Sequence, residues 1–91
     1  MSSQRTQPPA LLFIEGDLTI RRAQEMKDVL LARLAQSQAL EVDLAGVTEI
    51  DTAGVQLLLM VRRAAQASRK ELRLVAHSPA VIALFELLRI P

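Results

Sequence analysis

The chain has no cysteine, no tryptophan and no tyrosine. Without thiols it forms no disulfide and offers no thiolate for nucleophilic or metal chemistry. Two phenylalanines are its whole aromatic complement, so a stacking platform for bases or sugars is excluded. An excess of one charge is also missing. Eleven basic residues against ten acidic ones leave a formal charge of +1, which gives no long-range steering toward nucleic acid or a membrane surface. The apolar runs, Leu57 to Val61 among them, are far shorter than the roughly 20 residues of a spanning helix.

What is present is aliphatic. At 91 residues with 51% hydrophobic and 23% charged side chains, the chain suits one folded domain with a single modest core. Residues 1 to 9 are polar and end in Pro8-Pro9, which predicts a loose tail before a domain spanning 10 to 91. The start has no apolar segment of the signal-peptide type, so a cytoplasmic location is expected.

Residues 40 to 62 organise the rest. Leu40, Val42 and Leu44 alternate with Glu41 and Asp43, the period of a strand with one wet face. A turn is expected around Gly46, and a dense apolar helix from about 52 to 68. Asp51-Thr52-Ala53-Gly54 stands at its mouth, where Asp and Thr are natural N-caps. Upstream, Ala10 to Ile14 suits a buried strand, closed by Glu15-Gly16-Asp17. Thr19 is the expected cap of a helix with Ile20, Ala23, Met26, Leu30, Leu31 and Leu34 on its apolar stripe. Downstream, Leu72 to Ala76 reads as a third strand. Ser78-Pro79 then opens a last helix, since Ser caps and Pro tolerates the first helical position.

Strand and helix thus alternate three times, which predicts an α/β fold with a small, mostly parallel sheet. Glu41, Asp43 and Arg73 would occupy the second face of their strands. The helices are therefore expected mainly on one face, with the other open to water.

Enzymatic chemistry finds no support. His77 is the single histidine and cannot build a common metal site alone. Ser68 and Ser78 lack an adjacent base. Gly46 and Gly54 are not followed by the Lys-Ser/Thr of a phosphate loop. No cofactor is expected. Thr52 is the candidate switch: a phosphate there would add close to two negative charges at a helix N-terminus, although Asp51 adjoins it. Taken alone, the same four residues describe a well-capped helix. Leu57 to Val61 point all round the helix axis, which suits either contacts with neighbouring helices or an apolar patch beside Thr52 for a partner or a second copy.

Leu40-Glu-Val-Asp-Leu44, the turn and Ile50-Asp51-Thr52-Ala53-Gly54 opening an apolar helix resemble the central signature of STAS domains, those of anti-sigma-factor antagonists and sulfate transporters. Ile14 to Thr19 and Leu72 to Pro91 resemble the family's flanking segments. The resemblance implies a STAS fold and a regulatory role through protein–protein contact. In the antagonists the motif is Asp-Ser-Ser-Gly, with its first Ser phosphorylated by a partner kinase; here that position is Thr52, and Ala53 replaces the second Ser. The partner-facing set it implies is Asp17, Asp51, Thr52, Ala53, Gly54, Val55 and Gln56. The wording is most similar to stand-alone STAS proteins of chemotaxis-type signalling. A Thr at this place also resembles the STAS subunit of phospholipid-transport ABC ATPases. The implied partner is an anti-sigma factor or kinase, a chemotaxis-type histidine kinase, or a transporter ATPase, with no nucleic acid and no membrane insertion. A small-ligand or nucleotide-binding module is the reading from a different class.

Overall fold

The computed structural model describes residues 8–90. Along this stretch run β1 (Ala10–Leu18), α1 (Ala23–Ala35), β2 (Ala39–Ile50), α2 (Thr52–Ala67), β3 (Glu71–Val75) and α3 (Pro79–Leu87). The strands form one sheet in the order β1-β2-β3, and both pairings are parallel. Parallel neighbours need a crossover, which α1 and α2 supply. The expected tail lies, as far as residue 7, outside the described residues.

Register decides which side chains share a face. Leu12, Val42 and Leu74 lie side by side across the sheet, as do Leu11, Glu41 and Arg73 one step earlier. The first row faces the core. Ile14, Leu40, Val42 and Leu44 join Met26, Leu30 and Leu34 of α1, Leu57, Leu58 and Val61 of α2, and Val81 of α3 in a single apolar cluster. Removing this aliphatic surface from water, at about 25 cal/mol per Å², is the main stabilising term. The second row is left open, and Arg73 pairs with Glu41 on it at 3.4 Å.

Three features differ from the sequence reading, each for a local reason. The run Ala10–Ile14 is only half buried, because alternate residues face outward; Leu11 and Phe13 are 51% and 63% exposed. Strand β2 does not turn at Gly46 but runs on to Ile50. There it pairs with the irregular second half of β1, Glu15 opposite Gly46. A Cβ on Gly46 would stand 2.8 Å from the Glu15 side chain, so glycine permits the approach. Helix α1 starts at Ala23 rather than at Thr19. The Thr19 hydroxyl donates to Asp17, and Arg22 N–H closes a turn on the Thr19 carbonyl at 2.9 Å. Ile20 consequently leaves the buried stripe and is 71% exposed. At the other end, α3 begins as the sequence indicates, with Pro79 in its first turn and the Ser78 hydroxyl accepting the Val81 N–H at 3.2 Å.

The basic side chains are occupied more than their spacing suggests. Arg33 donates to the Leu11 carbonyl at 2.6 Å, and Arg22 to the Glu15 and Asp17 carbonyls at 2.8 Å each. These carbonyls belong to β1, an outer strand of the sheet, and satisfying them blunts an edge that could otherwise pair with another chain. Lys70 similarly donates to the last carbonyls of α1, those of Leu34 and Ala35.

Candidate functional site

Strand β2 ends at Ile50 and α2 begins at Thr52, leaving Asp51 as the single residue between them. Its backbone is extended, and its Oδ1 accepts the Gly54 N–H at 3.1 Å, a side-chain N-cap. Its Oδ2 accepts the backbone N–H of Ile20, also at 3.1 Å. One carboxylate therefore caps the helix and ties the β1–α1 loop to it.

Gly54 is where α2 meets β1. A Cβ built there would lie 2.1 Å from the Leu18 carbonyl oxygen, closer than any non-bonded contact allows. The absence of a side chain lets the first turn of α2 rest on the end of β1, where Leu18 pairs with Ile50.

Asp17 stands one residue earlier. It accepts the Thr19 hydroxyl at 2.5 Å and pairs with Arg21 at 3.2 Å. The Thr19 hydroxyl is the main reason its carboxyl is held below the usual value of 3.8; partial burial opposes this, and Arg21 adds to it. Gly16, at φ +85°, takes the left-handed conformation that glycine tolerates, and Arg22 fastens the segment through its two carbonyl contacts.

These contacts sort the residues singled out by sequence. Thr52 and Gln56 are exposed, and Asp17, Asp51 and Ala53 are half-buried. Gly54 and Val55 are buried and offer no surface to a partner; they hold the helix in place. Because Asp51 supplies the cap, the Thr52 hydroxyl is left for other work, exposed on the first residue of a helix whose N–H dipoles favour negative charge. The apolar helix that follows mostly serves the core. Leu57, Leu58 and Val61 are buried, while Leu59 and Met60 stay partly accessible.

The sequence reading overlooked two features. Ile20 presents an exposed aliphatic side chain next to the backbone group that Asp51 holds. A groove of about 380 Å³ also opens beside Ala53, between α1 and α2. The spacing of Ala53, Gln56, Leu57 and Met60 marks one helix face, but that pattern alone does not say that the face lacks a cover.

The family model described as the Mlab STAS domain matches residues 1–90. The chain belongs to this STAS family. Among solved structures, the STAS chain is similar to the anti-sigma factor antagonist SpoIIAA in its unphosphorylated form, with a TM-score of 0.74 and 17% identity. That match covers 96% of the STAS chain and 78% of SpoIIAA, and it shows a shared fold. A second match, to Mglu, has a TM-score of 0.61 and 25% identity, covering 70% of the STAS chain and 16% of Mglu. No curated protein matches the sequence significantly. Among the described residues of the STAS domain, no group of His, Cys, Asp and Glu could hold a metal ion. No described helix is long and apolar enough to cross a membrane.

Proposed function

We propose that this STAS domain is a cytoplasmic regulatory module that binds a partner protein through the surface around Thr52 and is switched by phosphorylation of that residue. The observation that carries the reading is the division of labour at the start of α2. Asp51 makes the capping bond, and Thr52 is left exposed. Asp17, Asp51, Ala53 and Gln56 are likewise exposed or half-buried, and with Thr52 they are the accessible part of the proposed partner-facing set. The structurally similar SpoIIAA is an anti-sigma factor antagonist described in its unphosphorylated form, which supports a role of this kind.

The covalent step belongs to a partner kinase. The Thr52 oxygen attacks the γ-phosphorus of ATP, the bond to the β-phosphate oxygen breaks, ADP leaves, and a base of the kinase takes the hydroxyl proton. The product places a near-dianion on the first turn of α2. The helix N-terminus accommodates it while Asp51 repels it, so the phosphate is best stabilised pointing outward. A partner packed over Thr52 would then have to bury that charge, which is costly without a counterion.

A second reading has its own observation. The family description is that of Mlab, which supports a constant regulatory subunit of a phospholipid-transport ATPase, contacting the ATPase through an unmodified Thr52. Affinity capture from the native host with the wild type, Thr52→Ala and Thr52→Glu, with mass spectrometry of Thr52, separates the two. Signalling requires a kinase partner lost with Thr52→Glu and phosphate on Thr52. The subunit reading requires a transporter ATPase and an unmodified Thr52. If Thr52→Glu retains every partner of the wild type, both fail.

A further inference from the structure

The groove between α1 and α2 is an interhelical gap with its own chemistry. Its lining includes two small side chains, Ala23 on α1 and Ala53 on α2. Leu57 and Met60 line it with aliphatic surface, and Lys27 and Arg63 bring cations to it. No acidic residue lines it, and α2 has no Asp or Glu along its whole length. Arg22, Arg33, Lys70 and Arg73, by contrast, are engaged with carbonyls or carboxylates. Arg63 is exposed and Lys27 half-buried, and neither forms a salt bridge among the described residues.

We infer that this groove receives an acidic amphipathic helix of the partner protein, with an aliphatic ridge against Leu57 and Met60 and carboxylates against Lys27 and Arg63. From Ala53 to Arg63 the wall spans about 15 Å at 1.5 Å per residue, close to three helical turns. A second copy fits poorly, because a two-fold contact through this patch would set the same cations against each other. The inference rests on the reading that the Thr52 surface docks a partner, and adds the partner's chemistry. It also explains how the switch acts on the partner. Thr52 adjoins the groove at Ala53, so a phosphate there repels the acidic helix as it seats.

The test is a titration of the isotope-labelled full chain with two synthetic helical peptides sharing one leucine ridge, flanked by Glu in one and by Lys in the other. The Glu peptide is expected to shift the amides of Ala23, Lys27, Ala53, Gln56 and Met60, more weakly at high salt. Its affinity should fall about tenfold in the Lys27→Glu/Arg63→Glu variant, the scale of losing two exposed ion pairs. Ala53→Leu should abolish the shifts by filling the groove. Equal binding of both peptides, shifts confined to the Leu11–Phe13 sheet face, or no shifts overturn the inference. The same variants in affinity capture separate it from the Thr52 reading. A partner lost with Thr52→Glu but kept by both groove variants removes the groove and leaves Thr52. A partner lost with the groove variants but kept by Thr52→Glu does the reverse.

Discussion

Asp51 accepts the backbone N–H of Ile20 at 3.1 Å, joining residues separated by 31 positions. Its other oxygen holds Gly54, so the carboxylate is a hinge pin between the first loop and the second helix. Asp51→Ala removes both bonds. A lost N-cap costs about 1 kcal/mol, whereas the freed Ile20 amide is exposed and bonds to water at little cost. The melting temperature should fall by roughly 4–8 °C for a domain this size. Asp51→Asn keeps an oxygen for Gly54 and should lose less. Thermal denaturation gives the ranking, and faster hydrogen exchange at Ile20 in both variants checks the mechanism.

Gly54→Ala tests the contact between α2 and β1. Helix propensity alone would favour Ala by up to about 1 kcal/mol. The added methyl would stand 2.1 Å from the Leu18 carbonyl oxygen, and overpacking of this kind costs about 1–3 kcal/mol or more. Net destabilisation in urea denaturation is expected. A variant more stable than the wild type would show that α2 does not rest on β1 in solution.

Thr52→Ala, by contrast, should leave stability within about 0.5 kcal/mol, since Asp51 does the capping and surface changes away from such features are small. Equilibrium unfolding measures this directly. A loss as large as that of Asp51→Ala would mean that Thr52 has a structural task, and binding data on its variants would need reinterpretation.

The Asp17 carboxyl is held below its ordinary value of 3.8, chiefly by the Thr19 hydroxyl. A depressed folded value means that the unfolded state takes up its proton first on acidification. The contribution is thus present above pH 3.8 and is lost as pH falls through the folded value. Thr19→Val should move the Asp17 titration back up toward 3.8, read from its carboxyl carbon by NMR. It should also shrink the stability difference between neutral and acidic pH. An unchanged titration would assign the shift to Arg21 instead.

Much of the architecture was legible because local patterns recorded it. The alternation of Leu40, Val42 and Leu44 with Glu41 and Asp43 marks a strand with one covered face, and the register with Arg73 confirms an open one. Ser78-Pro79 announced a helix start that the structure realises. Thr19 misled because a hydroxyl caps a helix only if nothing nearer competes, and Asp17 lies two residues away. Gly46 misled because a glycine marks close approach as readily as it marks a turn, and only the partner strand tells which.

The sequence by itself determined the alternation of strand and helix, the aliphatic core and the exposed threonine at a helix mouth. Those depend on periodicity and capping, which act over a few residues. Tertiary structure alone decided that Asp51 reaches Ile20, that Gly54 and Val55 are buried, and that a groove opens between α1 and α2. These outcomes depend on where distant segments are brought together, and steric fit between residues far apart in the chain has no local signature.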